Sequence, residues 1–339
     1  MPIITRNQAL LGGPTGPRGH RRKGGGLRSI SLETLVLLAL LFMVVCSYII
    51  YSLLPKGDQP PLTDEEALFV PSEGFCRRHR PPLVCAHGGD ATHFPTNTVG
   101  AFRASLAGGT TCVEVDAAQT KDGYLVCVHT RELSAATGMI GAQASSYTWE
   151  ELQALDMGGG NRIPLVSDVL DVVMGRAEVI TIDVKCQMDA GGRDLREEEI
   201  SATVMELVQE KECNACLVWA KSDHVVRAAK RLSPSTRAGY VVMNETEANR
   251  ADGKHELLRL KEPEVVAMHH AMVTDKVLRD VHWAGKELHA WTANTPGMMR
   301  RLLDVGVDAI VTNHPATLLE AVQRRWLRCP PHIHAHYHW

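Results

Sequence analysis

Read by its apolar and polar positions, the chain divides into one long apolar run followed by a regular alternation of short and long patterns. Residues 35–54 carry no charge over 20 positions, enough at 1.5 Å per residue to cross about 30 Å of hydrocarbon as a helix. Further on, β-branched runs recur at 83–89, 112–116, 124–130, 179–185, 215–219, 238–243, 265–268, 288–292 and 309–312. Between them lie helical patterns at 97–107, 148–155, 167–174, 198–210, 222–232, 275–284 and 296–305. Strands alternating with helices predict a parallel sheet wrapped by helices, an α/β TIM-like (β/α)8 barrel behind an N-terminal transmembrane helix. Nine strand-like runs are one too many for eight staves, and 238–243 or 265–268 is the expected outsider.

Composition adds a frame. The 339 residues are 45% hydrophobic and 22% charged with a formal charge of −3, so the chain can bury a large core and gives no reason to expect nucleic acid. The expected organisation is a disordered basic tail (1–34), a signal-anchor span (35–54), a linker (55–80), a barrel (81–326) and a His-rich tail (327–339). Arg18, Arg21, Arg22, Lys23 and Arg28 precede the span, whereas Asp58, Asp64, Glu65 and Glu66 follow it with only Lys56. The positive-inside rule then predicts a single-pass protein with a cytosolic amino terminus and a lumenal or extracellular catalytic domain. A cleaved signal peptide is the rival, but its apolar region would be about 7–15 residues. The sequon Asn244-Glu245-Thr246 and eight cysteines outside the span agree with the secretory pathway. Cys213 and Cys216 are expected to form a local disulfide or remain two thiols rather than bind metal. Cys85, Cys112, Cys127 and Cys186, on strand-like runs, are expected to pack as small buried hydrophobes. His332, His334, His336 and His338 alternate in the tail, where disorder is expected ahead of a dedicated Zn2+ or Cu2+ site.

Candidate chemistry gathers at strand ends, where barrels of this class place their sites. His87, Glu114, Asp116 and His129 lie there, as do Asp183, Lys185, Trp219 and Trp291. Glu114 and Asp116 are two apart, so in a strand they share one face and offer hard oxygens that suit Mg2+ or Ca2+ better than zinc. Asp183 supplies a third oxygen, with Lys185 on the same face. Residues 96–98 read as turn and helix-cap chemistry.

In order and spacing, the stretch 82–321 resembles the glycerophosphodiester phosphodiesterase family. The resemblance rests on His87-Gly88-Gly89, Pro95-Thr96-Asn97-Thr98, Glu114-Val115-Asp116, Lys121-Asp122-Gly123, His129, Asp183-Val184-Lys185, Ala290-Trp291-Thr292-Ala293-Asn294 and the segment 306–312. Ala86 to Asp90 and Val218 to Asp223 are closest to plant-type, membrane-anchored variants. It implies hydrolysis of a glycerophosphodiester such as glycerophosphocholine to sn-glycerol 3-phosphate and an alcohol. His87 and His129 would be the acid–base pair, Glu114, Asp116 and Asp183 the metal ligands, and Lys185 and Trp291 substrate contacts. Departures from the family pattern are Gly88 for a phosphate-holding Arg, Thr96 for Glu, Thr130 for Asp and Asp183 for Glu. Lys185, Arg131 or an N–H nest at Gly88-Gly89 could replace the guanidinium. Lysophospholipase D-type activity and a catalytically weak, membrane-tethered binding protein are the alternative functions. The expected partners are a small-molecule phosphodiester and, through one helix, a membrane; the oligomeric state is left open.

Overall fold

A computed structural model of the protein describes residues 31–53, 61–188 and 194–330. The basic tail up to residue 30 and the alternating histidines of the carboxyl tail lie outside the described residues. Within residues 1–61, which form a unit of their own, the described element is the helix Leu32–Leu53. Its window Leu32–Ile49 has a mean hydropathy of 2.4 and buries none of its residues, making it a candidate membrane span. It starts three residues before the expected span because Ser31 Oγ accepts the Thr34 N–H and satisfies an orphan donor of the first turn.

From Leu62 onward the chain builds a closed barrel. Its strands, in chain order, are β1 (Leu83–His87), β2 (Cys112–Gln119), β3 (Leu125–Val126), β4 (Val179–Lys185), β5 (Gln187–Met188), β6 (Asp194–Leu195), β7 (Cys216–Ala220), β8 (Arg237–Val242), β9 (Val265–His269), β10 (Glu287–Trp291) and β11 (Ala309–Thr312). Eight of them, β1-β2-β4-β7-β8-β9-β10-β11, are parallel, and pairing of β1 with both β2 and β11 closes the cylinder. The expected barrel is therefore present. The strand outside it is β3, however, and both suspected runs, as β8 and β9, are staves. Only five residues separate β2 from β3, too few for a parallel crossover, so the chain must turn back antiparallel. Thr120 makes that turn, donating from Oγ1 to Asp122 and accepting the Tyr124 N–H, with Gly123 in the left-handed region. The short pair β5 and β6 forms a separate antiparallel hairpin just beyond β4.

Side-chain alternation sorts the barrel strands into two faces. On β2, Val113, Val115 and Ala117 face the helices and join the main core, while Cys112 joins the interior cluster with Val179, Leu217, Val241, Val265 and Val311. The polar positions of the interior face lie nearer the carboxyl ends. Cys85 and Cys112 are Cα partners of the β1/β2 ladder and form a disulfide inside the barrel, correcting the expectation of free packing thiols. Two strand-borne cysteines pair only when register places them side by side, and register is a tertiary property. Cys127 remains a buried thiol, and Cys213 pairs with Cys216.

Residues 62–80, assigned to a linker by sequence, carry the helices Asp64–Leu68 and Glu73–Cys76, capped by Thr63 and Ser72. Leu68 and Phe75 are buried in the main core. Arg325, fully buried on the helix Pro315–Arg328, donates to the carbonyl oxygens of Leu68 (2.6 Å) and Ala67 (3.3 Å) and pairs with Asp304 at 2.7 Å. A second disulfide, Cys76–Cys329, ties this segment to the end of that helix.

Candidate active site

Inward-facing alternation on neighbouring strands delivers the polar residues to one end of the barrel. Register puts His87 beside Glu114, Asp116 beside Asp183 and Asp183 beside Trp219, so β1, β2, β4 and β7 contribute at adjacent levels. One pocket is lined by His87, Glu114, His129, Asp183, Lys185 and Trp291, with Trp219, Arg131 and Lys221 completing its polar and aromatic wall. Asp116, fully buried, adjoins it through its ion pair with Lys185. All seven residues expected in a site are thus brought together. Cys85 and Cys112 lie two residues before His87 and Glu114, so their disulfide cross-links β1 and β2 one layer below the pocket floor.

Glu114, Asp116 and Asp183 present carboxylate oxygens within 4.8 Å of one another. Lys185 is the lysine ion-paired with this cluster, 2.5 Å from Asp116 Oδ1 and also paired with Asp183. Three carboxylates against one ammonium leave a negative excess in a buried place, which a divalent cation would neutralise, and the all-oxygen donor set suits a hard ion. Burial first, and then the charge of Asp116, pushes the Glu114 carboxyl well above its usual range; burial likewise raises Asp183. Burial also opposes ionisation of Asp116, but Lys185, then His129 and His87, outweigh it and hold that group low. The ammonium of Lys185 is pushed up because Asp116 and Asp183 overcome its own desolvation.

The two imidazoles are held differently. His87 ends β1, and its Nδ1 lies 2.6 Å from Asn313 Oδ1, a carbonyl acceptor, which leaves Nε2 facing Glu114 at 4.0 Å. His129 does not end a strand as expected. It is the N-cap of the helix Thr130–Thr137: its Nδ1 accepts the Arg131 N–H at 3.2 Å, and its own N–H donates to Glu132 at 3.1 Å. The neutral ring therefore carries its proton on Nε2. Burial, reinforced by Lys185, lowers its pKa to about 3.

A family model, the glycerophosphoryl diester phosphodiesterase family, matches residues 87–317, more than half of the chain and the same stretch that carries this pocket. The chain belongs to the glycerophosphoryl diester phosphodiesterase family. It is accordingly an enzyme, a phosphoric diester hydrolase. It is 32% identical over 245 residues to glycerophosphodiester phosphodiesterase GDPD4 of Arabidopsis thaliana, covering 70% of this chain and 72% of that one. A glycerophosphodiester phosphodiesterase of Caldanaerobacter subterraneus is 25% identical, with 71% and 98% covered. Among solved structures, an Oleispira antarctica phosphodiesterase in complex with sn-glycerol-3-phosphate superposes with a TM-score of 0.60 at 22% identity, covering 72% of this chain and 97% of that one. A Thermotoga maritima glycerophosphodiester phosphodiesterase gives 0.56 at 20% identity, with 72% and 99% covered. Both likenesses show the barrel fold.

The pocket of this phosphodiesterase has supports that sequence reasoning missed. Asn97, read as turn chemistry, sits in the left-handed region and donates from Nδ2 to Asp116 (2.7 Å) and Glu132 (2.9 Å), joining the carboxylate cluster to the cap of His129. Thr98 does cap the helix Val99–Ala107, as expected for that segment. Glu132 and Asn313 were not singled out either. Each lies far in sequence from the group it holds or sits in a local cap pattern, so composition and periodicity carry no signal for them.

Proposed function

We propose that this enzyme hydrolyses glycerophosphodiesters such as glycerophosphocholine to sn-glycerol 3-phosphate and an alcohol, with His87 as general base and His129 as general acid. The observation that carries this reading is the meeting of two imidazoles and three buried carboxylates in one pocket. Asn313 accepts the Nδ1–H of His87, so Nε2 is the atom able to take the proton of the attacking oxygen, a water or the neighbouring glycerol hydroxyl. As the new P–O bond forms and the P–O bond to the alcohol breaks, His129 donates from Nε2 to the departing oxygen. An anionic diester beside His129 favours its charged form, in which Nδ1 takes a proton and gives up the Arg131 N–H, and offsets the burial that holds the ring neutral at rest. Glu114, Asp116 and Asp183 would hold Mg2+ or Ca2+. When bound, that ion neutralises charge developing on the phosphoryl oxygens. Lys185 balances the carboxylates and Trp291 forms part of the wall that excludes water.

A full-length preparation in detergent should release glycerol 3-phosphate from glycerophosphocholine with Mg2+ or Ca2+, lose the activity in EDTA and regain it on adding metal. Absent or chelator-insensitive release from folded protein would sink the reading. The apolar side of the pocket, Trp219, Val241, Trp291 and Val311, supports lysophospholipids as a second substrate class, which the same assay compares.

The apolar helix is read as a membrane anchor, with the barrel on the lumenal or extracellular side. Three disulfides in the barrel unit and the exposed Asn244 of the sequon support that side. Endoglycosidase should shift the mobility of the wild-type chain and leave Asn244→Gln unshifted. An unglycosylated barrel that protease digests from the cytosolic side of sealed vesicles would overturn the orientation.

A further inference from the structure

A phosphodiester is an anion, and a pocket that binds it needs a cation free to meet its oxygens. Gly88, next to His87, cannot serve. Its φ is +63°, and a Cβ there would lie 3.0 Å from Thr96 Cβ and 3.1 Å from the Asn97 nitrogen, so any side chain would be both strained and crowded. Its N–H is already donated to Glu114, to Oε2 at 3.1 Å and to the carbonyl oxygen at 3.0 Å. The Gly88 half of the backbone nest considered from sequence is thus committed to Glu114.

Three cationic side chains line the pocket among the described residues: Lys185, Arg131 and Lys221. Lys185 is enclosed between Asp116 and Asp183. Arg131 is half exposed, with its guanidinium 3.6 Å from Glu132. Lys221 has no carboxylate partner among the described residues, and its ammonium stands 5.9 Å from the centroid of the Trp291 ring. It follows β7, two residues past Trp219, lines the same pocket, and precedes Ser222, the N-cap of the helix Asp223–Leu232. Its charge reaches the chemistry, since it adds to the lowering of His129 and partly offsets the burial that raises Asp183.

We propose that Lys221 is the phosphate anchor of this pocket, its ammonium donating to a non-bridging oxygen of the diester and, after cleavage, of the glycerol 3-phosphate product. The proposal rests on the phosphodiesterase reading above and adds the residue that holds the anion. Hydrogen bonds to charged groups contribute enough to expect an effect of about 10- to 100-fold.

The test uses the full chain with Mg2+ present and compares wild type, Lys221→Met, Lys221→Arg and Arg131→Met by turnover of glycerophosphocholine and by calorimetric titration of sn-glycerol 3-phosphate. Lys221→Met should weaken product binding and raise KM by about 10- to 100-fold. Lys221→Arg should stay within about fivefold of wild type, and Mg2+ affinity should be unchanged in both. Wild-type product affinity in Lys221→Met, the loss appearing instead in Arg131→Met, or a parallel loss of Mg2+ affinity would overturn the assignment. The binding arm separates the two ideas. A wild-type chain that binds glycerol 3-phosphate through Lys221 without turnover defeats the hydrolytic reading alone, and one that binds none defeats both.

Discussion

Replacing His87 or His129 with alanine is expected to lower kcat for glycerol 3-phosphate release by about 10²- to 10⁴-fold each, while Mg2+ affinity stays within about tenfold of wild type. The two rings stand outside the carboxylate cluster: His87 Nε2 is 4.0 Å from Glu114, and His129 is held by backbone groups of its own helix cap. Removing either should therefore cost a proton transfer and spare the ligands. Because attack and departure belong to one displacement, the double variant should be little worse than the poorer single one. Steady-state rates at saturating substrate, paired with metal titration, provide the check. A His87→Ala or His129→Ala enzyme keeping more than about a tenth of wild-type kcat would remove that ring from the mechanism. Equal losses of rate and metal binding would make it a support of the carboxylates instead.

The second large effect concerns stability. Converting Cys76 and Cys329 to serine should lower the unfolding free energy by roughly 3–5 kcal/mol, because the bridge joins positions 253 apart and loop closure restricts the unfolded chain more as the loop lengthens. At roughly 2–4 °C per kcal/mol for a domain of this size, the melting temperature should fall by about 10 °C. Cys213 and Cys216 are three apart, so serine at both should cost much less. The long-range bridge also has local company: Phe75 meets Trp326 edge to face at 6.2 Å, and Arg325 grips the segment carrying Leu68. Thermal and denaturant unfolding of the two double variants would decide the matter. Equal midpoints for both, or no change on losing Cys76–Cys329, would show that packing of Leu68, Phe75 and Arg325 already holds the segment without the covalent tie.

What the amino-acid order determined by itself is whatever follows from local periodicity. Short β-branched runs alternating with amphipathic helices imply a wrapped parallel sheet, and the two-residue spacings of Glu114 with Asp116 and of Asp183 with Lys185 put each pair on one strand face. Strand-end placement then made one pocket the natural destination for His87 and Trp291 as well. The apolar run now seen as the helix Leu32–Leu53 was equally visible, since length and lack of charge are local properties.

Tertiary structure alone decided the rest, because it depends on which segments become neighbours. The run before His129 looks like a stave, yet the tight turn at Thr120 folds it back as β3, and His129 enters the pocket from a helix cap instead. Cys85 and Cys112 look like packing residues until the β1/β2 register makes them Cα partners. Leu68 and Phe75 are too few to show a period and become core only against Trp326 and Arg325. Asn97 resembles a turn residue until Asp116, 19 positions away, accepts its amide. Lys221 is one lysine among many in the sequence. Only the closed barrel shows that the other two cations on this pocket are ion-paired with carboxylates and that, among the described residues, this one is not.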